Sequence, residues 1–282
     1  MRQSDNRVPT PEKTLASPNS AFGSSGFTRQ GRALLLALQF LTVIPIKGSE
    51  TLDKKALGLS LLYYPLIGLL LGLLLISVAW FASWLFSPLL AATLVVAAWV
   101  LLTGALHIDG LADCADAWVG GFGNRERTLR LMKDPTSGPV AVAVVVLLLL
   151  VKVAAVYEVL SPPAADASSL SPWWALLMAP VMGRLCLLSL LLTTPYVREA
   201  GLGEALSQHF PRRAAYCLCL LFGGLLLLAG VVGLAVLLAV VLLLWLLRQQ
   251  MLKRLGGCTG DTLGATTELV EAGVLLTLLA VL

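Results

Sequence analysis

Charge is what this chain has least of. Asp, Glu, Lys and Arg make up 13% of its 282 residues, against about 25% in a soluble domain, which excludes an ordinary soluble fold. Paired cysteines are also missing. Cys114, Cys186, Cys217, Cys219 and Cys258 form no CxxC spacing and sit mostly in apolar context. That excludes a zinc ribbon or a disulfide framework and fits small buried thiols in a reducing setting. No P-loop occurs, so a nucleotide would be bound as a substrate group and not hydrolysed as fuel. No segment alternates with strand period, and no period of 20 to 50 residues marks a repeat array. Residues 1–30 are rich in Ser, Pro, Thr and charge, with no small-residue cleavage site before the first apolar run. They read as a disordered cytoplasmic tail, not a signal peptide. Residues 31–282 read as one membrane-embedded domain.

What the chain does have is apolar runs, in a sequence that is 58% hydrophobic. Residues 33–46 are too short to span a bilayer, which takes about 20 residues. Basic residues flank them on both sides (Arg29 and Arg32 before, Lys47, Lys54 and Lys55 after), so an interfacial or re-entrant helix is expected. Longer runs follow at 59–86, 89–106, 138–160, 172–192, 214–247 (a hairpin of two thin spans around Gly230 and Gly233) and 262–282. The expected fold is an all-α polytopic membrane bundle of about seven transmembrane helices. Under this count every basic loop falls on one side. Those loops carry Arg125, Arg127, Arg130 and Lys133, then Arg198, Arg212 and Arg213, then Arg248, Lys253 and Arg254. The opposite loops, including 161–171 with Asp166, hold no Lys or Arg. The basic side reads as cytoplasmic.

The stretch His107–Asp116, HIDGLADCAD, lies where an apolar run meets that side. Asp109, Asp113 and Asp116 fall at i, i+4 and i+7, on one face of a helix. The next basic residue is Arg125. Unpaired acids on one stripe repel, and a hard divalent cation with oxygen ligands is the usual remedy. The competing reading is a solvated helix start favoured by the helix dipole. Asp261 and Glu268 are seven apart and share a face near the start of the last span. An acid two turns into a membrane helix normally lines a cavity. Thr259 and Gly260 precede that helix, and glycines at 256, 257 and 260 allow close approach to a ligand; an N-terminal cap is the alternative. These five acids, Asp109, Asp113, Asp116, Asp261 and Glu268, are the candidate metal ligands, and all but Glu268 are candidate catalytic groups.

Basic and polar partners follow. Arg184 stands inside an apolar span, where an Arg needs a negative partner. That partner is either a substrate phosphate, matched by its planar fork, or one of the acids. Lys152 can pair with Glu158. Lys133 and Asp134 stand before TSGPV, which can open a helix whose N-terminal amides bind an anion, or carry a simple Ser/Thr cap. His107, two residues before Asp109, reads as a supporting donor. Acids for magnesium with Arg and Lys for phosphate is the set phosphoryl transfer requires.

Five segments in order carry a resemblance: QFLTVIP (39–45), YPLIGLLLG (64–72), TGALHIDGLADCADA (103–117), RLMKDPTSG (130–138) and GGCTGDTLGATTELVE (256–271). From about residue 33 to the end the chain resembles the cobalamin synthases, the adenosylcobinamide-GDP ribazoletransferases. Cys114, Ala117, Pro135 and Thr136 depart from the pattern; the acids do not. The resemblance implies a magnesium-dependent enzyme of the bacterial cytoplasmic (inner) membrane with its active site facing the cytoplasm. It would join adenosylcobinamide-GDP to α-ribazole or its 5'-phosphate, release GMP, and form adenosylcobalamin or its phosphate. Its partners would be those substrates and the lipid bilayer, with no nucleic acid; self-association or contact with other cobalamin-assembly enzymes stays open. Two alternatives stand beside it. A CDP-alcohol phosphotransferase would carry an Ala-Arg pair between its acids, which is missing. An ion-coupled transporter would carry inverted repeats and acids at the bilayer midplane.

Overall fold

The computed structural model describes residues 28–45, 53–161, 171–198 and 202–282. Most of the expected tail, Lys47, and nearly all of the 161–171 loop with Asp166 lie outside them. Each apolar run forms a helix, because in lipid a backbone can satisfy its polar groups only within itself.

The short first helix, α1 (Arg29–Leu41), buries Ala33, Ala37 and Leu41, one face at fourfold spacing. Next comes α2 (Lys54–Ser60), capped by Asp53, which accepts from the Lys55 N–H at 2.9 Å. A 3-10 turn leads into α3 (Tyr64–Leu85), which tolerates Pro65 because its missing N–H falls in the first turn. Pro88 opens α4 (Pro88–Leu102) in the same way. The span expected over 89–106 stops short here. Gly104 and Ala105 take φ of 60° and 55°, a left-handed turn that glycine permits. The chain bends by 88° into α5 (Leu106–Gly120), so the acid stripe runs across the end of the bundle. Then come α6 (Arg125–Leu131), α7 (Pro139–Leu160), α8 (Trp174–Thr193), α9 (Leu202–Gln208), α10 (Arg212–Leu227), α11 (Gly230–Leu255) and α12 (Gly260–Val281).

Among the described residues five helical stretches are long and apolar enough to cross a membrane: Lys54–Leu85, α7, α8, α11 and α12. The bent α4–α5 pair makes a sixth if taken as one span. The expected seven also counted α10, which is 16 residues long. The chain is thus an all-helical polytopic membrane bundle. At its centre α8 is buried along most of its length, and α12 packs against α5, α7, α8 and α11. Peripheral α11 turns Leu238, Val241, Leu242 and Trp245 outward.

The basic residues that mark one side in sequence have a second use. Arg248 donates to the Thr193 carbonyl at 2.8 and 3.1 Å, and Arg212 to the Leu192 carbonyl, both at the end of α8. Arg254 donates to Trp118 O and Arg125 to Leu255 O, each at 2.7 Å, near the ends of α5 and α11. Cations at helix C-termini satisfy orphan carbonyls and oppose the helix dipole. They tie these helix ends together at the face where α12 begins.

Candidate active site

Two backbone approaches build the site. The first is where α5 crosses the start of α12. A Cβ on Gly110 would lie 2.8 Å from the Asp261 carbonyl oxygen, so only glycine lets the helices meet so closely. The second is a parallel bridge between Tyr196 and Cys258. Cys258 N–H donates to Pro195 O at 2.8 Å, and Val197 N–H to Cys258 O at 3.0 Å. Gly257 packs directly on the Pro195 carbonyl. The glycine expected to admit a ligand therefore admits the protein's own loop. The bridge delivers Arg198, whose Nη1 donates to both Asp261 oxygens at 3.2 and 3.0 Å. Arg198 entered the sequence reading only as a side marker. Its role comes from a contact across 63 residues that no local pattern signals.

Asp109, Asp113 and Asp261 gather around this ion pair. Asp109 is exposed, while Asp113 and Asp261 are half-buried. Asp113 lies within electrostatic reach of Asp109, Asp261 and Asp116, with Arg198 as the opposing charge. Neither Asp109 nor Asp113 forms an ion pair among the described residues. The acids therefore outnumber the cations at this point. The donor set is all oxygen and net negative, which suits a hard divalent cation. Among the described residues no three acidic, His or Cys side chains stand at ligating distance of a common point. Magnesium does not require that. It keeps several waters and commonly takes one or two carboxylates plus substrate phosphates.

Asp116 has other work. Its Oδ2 accepts from Gly138 N–H at 2.5 Å and its Oδ1 from Ala141 N–H at 2.9 Å. The anion expected at the TSGPV helix start is the protein's own carboxylate, since α7 has no side-chain cap of its own. Thr259 is a cap as well. It is buried and accepts from Thr262 N–H at 3.2 Å, while the Thr262 hydroxyl accepts from Thr259 N–H at 2.8 Å. Asp134 accepts from the backbone N–H and hydroxyl of Thr136 at 3.0 and 2.5 Å, which holds its carboxyl below the usual range.

Two candidates move away from the site. Arg184 is fully buried and pairs with Glu271. Glu268 is buried and bonded to Lys152 at 2.7 Å, not facing the Asp cluster. Lys152 also reaches Glu271 at 2.6 Å and lies 4.4 Å from the centre of the Trp99 ring, so its partner is not Glu158. Two cations and two anions thus neutralise each other between α7, α8 and α12. Charges this deep are costly unless paired. His107 is buried beside them, within electrostatic reach of Arg184 and Lys152, and lines the floor of a cavity.

That cavity, of about 330 Å³, has Asp109, Gly260, Asp261 and Arg198 at its polar end and leucines with Phe40 and Tyr64 behind. A second cavity, of about 360 Å³, is lined by Arg125, Arg130, Lys133 and Arg198, with Thr259, Glu126 and Asp261. Arg198 and Asp261 are common to both.

The family model for cobalamin-5-phosphate synthase matches residues 33–279. The chain belongs to the cobalamin-5-phosphate synthase family. It is 52% identical to the adenosylcobinamide-GDP ribazoletransferase of Pseudomonas syringae pv. syringae over 245 residues, 86% of this chain and 97% of that one. It is 53% identical to those named the same in Pseudomonas putida and Stutzerimonas stutzeri, over 86% of this chain and 96% of each relative. No solved structure matches. As a cobalamin-5-phosphate synthase family member, the chain leaves no place for the transporter or CDP-alcohol alternatives.

Proposed function

We propose that this chain transfers the corrinoid-bearing phosphate of adenosylcobinamide-GDP onto α-ribazole or α-ribazole 5'-phosphate, releasing GMP and forming adenosylcobalamin or its 5'-phosphate. The observation that carries this is the cluster of Asp109, Asp113 and Asp261 around Arg198, where two cavities meet. It occurs in a chain about half identical to proteins named for that transfer. A hydroxyl of the ribazole ribose attacks the phosphorus that carries the corrinoid. The bond to the GMP phosphate breaks, its electron pair leaves with GMP, and the hydroxyl proton is released to solvent.

Magnesium is the cofactor in this reading, with Asp109, Asp113 and Asp261 to hold it. When bound it supplies charge neutralisation on the phosphate oxygens. The chain's own groups do the rest. Arg198 offers a planar donor fork to phosphate. Lys133 adds a point charge, and Asp116 fixes the α5–α7 register under the acids. The site faces the cytoplasm of a bacterial inner membrane, on the side with the basic loops. Purified protein given both substrates should release GMP, and EDTA should stop it until magnesium is restored. No GMP under any magnesium concentration would sink the reading.

A further inference from the structure

The two cavities that share Arg198 and Asp261 differ in chemistry, and the two substrates differ in the same way. The basic cavity presents Arg130 and Lys133, which are exposed and form no ion pair among the described residues. The other has an apolar interior of Leu187, Leu191 and Leu263 closed by Phe40 and Tyr64. A departing guanosine monophosphate is polar at its base and carries two negative charges at its phosphate. A dimethylbenzimidazole base is flat, uncharged and apolar. We infer that the basic cavity seats the nucleotide that leaves and the apolar cavity seats the benzimidazole of the acceptor. Arg198, on their common wall, lets go of Asp261 to grip the phosphate between them. This rests on the ribazoletransferase reading.

The geometry favours that exchange. Arg198 is about a quarter exposed and meets Asp261 through one nitrogen only, Nη1. Its remaining N–H groups can take hold of a phosphate first, before the single Nη1 contact to Asp261 is given up. The Tyr196–Cys258 bridge holds its backbone against the start of α12, so the side chain alone has to move. Attack then comes from the apolar side and departure goes to the basic side. Phosphoryl transfer needs the attacking and leaving groups on opposite sides of the phosphorus, and two cavities with a common wall give each its own side.

The experiment uses the full chain in nanodiscs and measures GMP and α-ribazole affinity by calorimetry, with Michaelis constants for both substrates. The double variant Arg130→Ala/Lys133→Ala should weaken GMP and adenosylcobinamide-GDP about tenfold to a hundredfold, since each lost charged contact is worth that order, and leave α-ribazole unchanged. Leu263→Trp should do the reverse. Leu106→Trp, at the exposed rim of the apolar cavity, serves should the first fail to fold. Arg198→Lys should keep both affinities within a few-fold and lower kcat, and Arg213→Ala should change nothing. Wild type that turns over while the variants shift both substrates together, or in the crossed sense, overturns the cavity assignment alone. Wild type that binds neither probe and releases no GMP overturns the functional reading with it.

Discussion

Three aspartates on one helical stripe do two different things, and substitution should separate them. Asp109 and Asp113 have no ion-pair partner among the described residues, while both oxygens of Asp116 hold the first turn of α7. Asp109→Asn and Asp113→Asn should keep the melting temperature and lower kcat/KM about a hundredfold or more, because a lost transition-state charge contact costs several kcal/mol. Asp116→Asn turns an amide N–H₂ toward a backbone donor. Loss of such a cap should cost about 1 to 2 kcal/mol, read as a lower melting temperature in detergent. An Asp116→Asn protein with normal melting and no turnover would put Asp116 back among the reacting groups. Arg184 is argued at the same scale. Buried against Glu271, it should tolerate Lys with an unchanged Michaelis constant for adenosylcobinamide-GDP. Arg184→Leu should cost about 3 to 5 kcal/mol, since it leaves Lys152 alone against two buried carboxylates, Glu268 and Glu271. A raised Michaelis constant in a stable Arg184→Lys protein would overturn this.

Between elements, the site depends on closeness that side chains would prevent. The start of α12 is clamped by α5 on one side and by the 194–198 segment on the other. Gly257→Ala would push its methyl into the Pro195 carbonyl and carry Arg198 away from Asp261. Turnover should fall about tenfold or more, with a destabilisation nearer 1 to 3 kcal/mol from overpacking. Gly224→Ala, in α10, whose Cβ would meet nothing within 4 Å, is the control away from the site and should remain active. Equal losses in the two variants would mean that backbone contact at 257 does not position the site. The YPLIGLLLG and GGCTGD segments are thus local sequence signals, but what the second packs against is not legible in it.

For the whole molecule, the basic side is expected to face the cytoplasm. Arg125, Arg212, Arg248 and Arg254 all bond helix ends on the face that carries Asp109 and Asp261. Ser87, in the α3–α4 turn, ends the opposite side of the bundle. In a cysteine-free background, Ser87→Cys should react with an impermeant thiol reagent from outside intact cells, and Arg127→Cys only after lysis. The inverse pattern would reverse the assigned orientation.

The sequence by itself determined the all-helical membrane class, the single basic side, the Asp109–Asp113–Asp116 stripe and the cap before α12. All of these follow from composition or from spacings within one helix, where geometry is local and periodic. Tertiary structure decided which acids remain unpaired. Asp116 found the amides of α7, and Glu268 found Lys152. Glu271 took up Arg184, and Asp261 met an arginine 63 residues away. A charge in a low-dielectric bundle is governed by its nearest opposite charge, and that neighbour is set by how the helices cross, not by distance along the chain.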